Sequence, residues 1–165
     1  MASKKGIAVT VAILVGVVAG SFLIYLLPED TTMKISVSDF ENHLNITKER
    51  ASMEVTGIDD SFKKLMNGEI ESDEYITIAE ISSSQINSLI IELTNSGATQ
   101  EWTESYVNYI GALKKLNDKI TETVVVANLI TDDSNSNSID EILAKIKQLE
   151  AESFDLTKKS DSSRP

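Results

Sequence analysis

Residues Ile7 to Leu27 form an unbroken run of twenty-one uncharged residues, led in by Lys4-Lys5 and closed by Pro28-Glu29-Asp30. A helix of that length, at about 1.5 Å per residue, reaches roughly 31 Å, close to the hydrocarbon thickness of a bilayer. Thirteen of the residues are Leu, Ile, Val or Phe. At roughly −0.3 to −0.6 kcal/mol each near mid-membrane, they favour insertion by about 4 to 8 kcal/mol. The run reads as one transmembrane helix over 7–27 after a short segment, 1–6. Lysines flank its start and acids its end, and the lysine side marks the cytoplasm. The expected placement is therefore single-pass in the cell membrane, N-terminus cytoplasmic, with an extracytoplasmic C-terminal domain. Cleavage at Ala19-Gly20-Ser21 would leave Phe22 to Leu27 as an exposed apolar start, so a retained signal-anchor is expected.

Ala8, Ala12, Gly16 and Gly20 recur every four residues along this helix. They form a ridge of small side chains against which another helix backbone can approach closely. The spacing predicts lateral packing in the membrane, with a second copy or with a subunit of a membrane complex.

Residues 28–165 carry 13 Lys and Arg against 26 Asp and Glu, a formal charge of −13. Such a surface repels nucleic acid and anionic headgroups. There is no cysteine, so stability must come from packing. The only prolines are Pro28 and Pro165, and nothing between them interrupts long helices.

The pattern predicts an all-α fold: a polar stalk over 28–37, then an elongated antiparallel bundle of about four helices over 38–157. Ser38 and Glu41 have the spacing of a capping box. Val37, Phe40, Leu44, Thr47, Ala51, Val55, Ile58, Phe62 and Leu65 follow at helical steps, with a coiled-coil stutter at Ala51. Asn67-Gly68 is the stop. Tyr75, Ala79, Ser82, Ile86, Leu89 and Leu93 line the second helix, widened by Ile76, Ile78 and Ile90. The third, from about Thr99 to Thr131, is lined by Trp102, Tyr106, Tyr109, Leu113, Leu116, Ile120, Val124 and Ala127. Ser138 and Glu141 suggest a second capping box, and Ile139, Ile142, Leu143, Ile146, Leu149 and Leu156 form the fourth stripe. Residues 158–165 contain no apolar side chain other than the terminal Pro165 and are expected to be a disordered tail.

No catalytic constellation emerges. His43 is the only histidine; without a second histidine or a cysteine it has no partner for a transition metal, and it is expected to face solvent. Asp133, Asn135 and Asn137 have the one-three-five spacing of a calcium loop, but Ser138 stands where glycine is needed and Ala144 where a bidentate glutamate is needed. No cofactor is implied. Asn45-Ile46-Thr47 is a sequon, making Asn45 a candidate glycosylation site.

Two segments resemble known families. Lys4-Lys5-Gly6-Ile7-Ala8 resembles the processing site of archaeal archaellins and type IV pilins, which are cut after the glycine and keep the apolar helix for polymerisation. Pro28 falls where many bacterial pilins also carry proline, whereas Val11 stands where pilins place a glutamate. Gly68-Glu69-Ile70-Glu71-Ser72-Asp73-Glu74-Tyr75 is similar to the hairpin motif of short C-terminal helical domains, matched at Gly68, Ile70, Glu74 and Tyr75.

These readings predict a non-enzymatic, membrane-anchored structural or protein-interaction subunit. The alternatives are a ligand-binding or sensor-type helical domain that signals through a partner, or the type IV pilin-like surface subunit that the first resemblance implies.

Overall fold

The computed structural model describes residues 39–131 and 136–165. The apolar run 7–27, with Ala8, Ala12, Gly16 and Gly20, and the stalk 28–37 lie outside them. The described residues fold as four helices and no strand: α1 (Phe40–Met66), α2 (Ser72–Thr94), α3 (Gln100–Thr131) and α4 (Ser136–Ser162). Among the described residues, no helix is long and apolar enough to cross a membrane.

The helix ends follow local chemistry. Asp39, rather than Ser38, caps α1, its carboxylate accepting from the Asn42 amide at 2.9 Å. Such a cap contributes about 1 kcal/mol. At the other end Gly68 adopts φ 70°, the Gly68 amide bonds Leu65 O and the Glu69 amide bonds Lys64 O. This pair of bonds is a Schellman closure, which needs a left-handed residue that glycine supplies without a Cβ clash. Gly97, at φ 64°, turns the chain between α2 and α3. The last helix opens at Ser136, two residues before the expected Ser138 cap.

Long-range bonds set the register. His43 meets Glu92, and Phe62 packs on Tyr75, so α1 and α2 are antiparallel. Tyr75 bonds Thr123 and Ser83 bonds Asn117, so α2 and α3 are antiparallel. Ser105 bonds Ser160 and Ser153 bonds Ala112, so α3 and α4 are antiparallel.

The main core belongs to three helices. Leu44, Ala51, Ile58 and Leu65 of α1 meet Tyr75, Ala79, Ile86, Leu89 and Leu93 of α2 and Tyr106, Tyr109, Leu113 and Ile120 of α3. From α4 only Leu156 packs against this cluster. Helix α4 lies along the far flank of α3, where Ile146 and Leu149 are buried. Small residues make that contact close: a Cβ built on Gly111 would meet Leu156 Cδ1 at 3.4 Å.

The segment 158–165 is no disordered tail, because α4 continues through Ser162. Ser160 is fully buried, and its carbonyl accepts from Ser105 Oγ at 2.7 Å. A serine at a seam position can be buried when its polar groups are paired, and a count of apolar residues misses it.

Candidate functional site

Helices α1 and α4 both pack on α3, yet they do not pack on each other. Only long side chains span the gap: Lys48 Nζ reaches Asp161 Oδ1 at 2.6 Å, and Arg164 approaches Glu41 at 3.8 Å. Between them runs a groove of about 300 Å³. Lys48, Ala51 and Val55 form its α1 wall, Tyr109 and Leu116 of α3 its floor, and Glu150, Phe154 and Thr157 its α4 rim. In a closed four-helix arrangement this seam would be filled by α1 and α4 touching.

The groove's chemistry is apolar with charged ends. Tyr109 is buried in the floor, and the Lys48 ammonium sits 5.0 Å from its ring centroid. Burial draws the Lys48 ammonium below its usual range, and the bond and charge of Asp161 offset only part of that. Burial raises the Asp161 carboxyl, but the hydrogen bond and charge of Lys48, with Arg164, outweigh it and hold the group below the carboxylate range. Toward the other end Lys119, only 5% exposed, pairs with Asp59 at 2.8 Å and lies 3.5 Å from Glu150.

Phe154 dominates the rim. It is 58% exposed, with Lys158 Nζ 4.2 Å from its ring centroid. Leaving a large aromatic in water forgoes about 1.5–3 kcal/mol of burial. The sequence carried a signal for this. In α4 the seam positions after Leu149 are Ser153, Leu156 and Ser160, while the only phenylalanine of that helix stands off the stripe.

A second groove, about 410 Å³, lies between α2 and α3 and is lined by Ala79, Glu80, Ser83, Ser84, Asn87, Ile120, Thr121 and Val124. It offers hydroxyls and amides but no aromatic platform.

His43 overturns the expectation of a solvent-facing ring. It is 13% exposed, with Nε2 3.0 Å from Glu92 Oε1, and its Nδ1 lies 2.9 Å from the Tyr106 hydroxyl. That hydroxyl also donates to Phe40 O at 2.9 Å, and Arg50 Nη1 donates to Glu92 Oε2 at 2.7 Å. A carboxylate only accepts, so Nε2 donates to Glu92, and the ring bridges one carboxylate and one phenol oxygen. All its polar atoms are used in joining α1, α2 and α3, and His43, Glu92 and Tyr106 line neither groove.

The aromatic stripe of α3 is core. Tyr106 and Tyr109 are buried, and Trp102 is half-buried against Phe40 and Tyr106. The hairpin motif at Gly68 also serves packing: Tyr75 is fully buried and donates to Thr123 Oγ1 at 2.6 Å. Asn45 is exposed on α1, but Thr47 of the same sequon is fully buried and its hydroxyl donates to His43 O at 2.8 Å. A sugar at Asn45 would therefore have to be attached before the helix folds. Asp133 and Asn135 lie outside the described residues. Among the described residues, no cluster of three or more His, Cys, Asp or Glu is placed to hold a metal ion. Comparisons with protein-family models, with curated proteins and with solved structures gave no match.

Proposed function

We propose that this chain is a non-enzymatic, membrane-anchored interaction subunit whose helical unit works outside the cytoplasm. The observation that carries this reading is the open seam between α1 and α4, with Phe154 exposed on its rim. A helical groove with an apolar floor and charged ends is a surface that accepts another amphipathic helix. An aromatic residue beside such a groove is the usual anchor of a protein interface. The uncharged run 7–27 supports anchoring, and the small-residue ridge Ala8, Ala12, Gly16 and Gly20 supports a second contact between subunits inside the bilayer.

The test is photo-crosslinking of the full chain in cell membranes from position 154, on the groove rim, and from position 118, an exposed site on α3. Discrete protein adducts from 154 and none from 118 are expected. Equal or absent adducts from both positions would refute the reading.

A further inference from the structure

Within the interaction reading, we propose that the occupant of the α1–α4 groove is a second copy of this chain. The two α4 helices cross antiparallel about a two-fold axis through Phe154, and each Phe154 enters the groove of the other copy.

Knob and hole lie in one patch. Phe154 rims the same groove of about 300 Å³, which has room for a phenyl ring, since a cavity of about 150 Å³ holds benzene. A surface that carries both halves of the fit is self-complementary, and a two-fold axis closes it into a dimer without propagating.

Charge selects the orientation. Lys147, Glu150, Phe154, Lys158 and Asp161 are all exposed on α4. Their spacing is symmetric about Phe154, with steps of four and seven on either side, and the signs invert: Glu150 opposes Lys158, and Lys147 opposes Asp161. Antiparallel pairing about Phe154 therefore sets Lys147 against Asp161 of the second copy and Glu150 against Lys158 of the second copy, each twice. Parallel pairing sets every charge against its own like, which is repulsive. Exposed Ala151, beside this row, leaves room for the helices to approach.

These groups keep exposed surface beside their existing partners: Asp161 is 51% exposed while bonded to Lys48 and Arg164, Glu150 is 57% exposed at 3.5 Å from Lys119, and Lys158 is exposed over the ring of its own Phe154.

The test uses the full chain in mild detergent, with Gly16→Ile and Gly20→Ile removing the contribution of the membrane ridge. Sedimentation equilibrium in density-matched detergent should show a dimer. Phe154→Ala and Glu150→Lys should each weaken it about tenfold or more, and Glu150→Lys with Lys158→Glu should restore it. Helical melting confirms that each variant is folded. The cysteine-free chain allows a second readout. Chains with Glu150→Cys, mixed with chains carrying Lys158→Cys, should form a mixed disulfide, and neither should self-link. A monomer at every concentration, no rescue by the double charge reversal, or self-linking of one variant would overturn the proposal. If the chain is monomeric but still gives adducts from position 154 to another membrane protein, the interaction reading stands and self-association falls.

Discussion

His43 and Glu92 stand 49 residues apart in sequence and meet at 3.0 Å, joining the start of α1 to the end of α2. Tyr106 of α3 completes the junction. Removing the ring takes one of two partners from a half-buried carboxylate and from a buried phenol, which keep Arg50 and Phe40 O; each lost bond costs about 1 kcal/mol, and the buried ring's packing is lost with them. His43→Ala in residues 36–165, a compact unit with its own core, should lose about 2–4 kcal/mol in urea unfolding followed by circular dichroism. Glu92→Gln keeps an acceptor for Nε2 and should lose less. Equal stability of His43→Ala and the parent would show that the junction is incidental.

Lys119 and Asp59 predict an asymmetry. Lys119 is the deeper partner, with 6% of its side chain exposed against 30% for Asp59. Asp59→Ala strands a buried ammonium, with only Glu150 nearby at 3.5 Å, and should cost about 2–3 kcal/mol. Lys119→Met replaces the stem with apolar volume and leaves a carboxylate that can reach water; it should cost less than about 1 kcal/mol. The reverse order in chemical denaturation would contradict this account of the pair.

Two glycines should respond in opposite directions. Gly57 lies inside α1 with nothing within 4 Å of a built Cβ, so Gly57→Ala should stabilise by about 0.5–1 kcal/mol. Gly68 is held at φ 70°, and Gly68→Ala should destabilise by about 1 kcal/mol because that region is strained for residues with a Cβ. Thermal melting of both variants checks the signs.

How far the fold could be read in the sequence depends on residue type. All six stripe residues of α2, Tyr75, Ala79, Ser82, Ile86, Leu89 and Leu93, are buried, because that face is mostly large and apolar and its period is unambiguous. Helix α3 was only half legible. Its first seam is in place, but Ser105 and Ala112 form a second buried face toward α4, and small or polar side chains contribute little to a hydrophobic period. The extension of α4 to Ser162 was hidden for the same reason. His43 was misread because its partners lie 49 and 63 residues away, and no local pattern encodes such a contact. The groove followed from a tertiary fact, that α4 docks on α3 alone; only the displaced Phe154 hinted at it.

The buried tyrosines set an alkaline limit. Burial, reinforced by nearby carboxylates, pushes the Tyr75 and Tyr106 hydroxyls up to about 12, and burial raises Tyr109 as well. In the unfolded chain tyrosine titrates near about pH 10. The folded state therefore resists deprotonation, and this contribution is fully present below about pH 10 and is lost as pH rises toward 12. Tyrosinate absorbance of residues 36–165 should rise together with loss of helical ellipticity between those values. Titration of all three tyrosines near pH 10 with helicity intact would contradict their placement in the core.

The most direct test of the central claim is the fate of the full chain in right-side-out membrane vesicles, one sample extracted with alkaline carbonate and a separate, untreated sample exposed to external protease at neutral pH. The account predicts that the chain stays with the bilayer through carbonate, and that protease in the other sample cuts the stalk and releases a resistant fragment that contains α1 to α4. Release of the intact chain by carbonate, or complete protection from external protease, would contradict it.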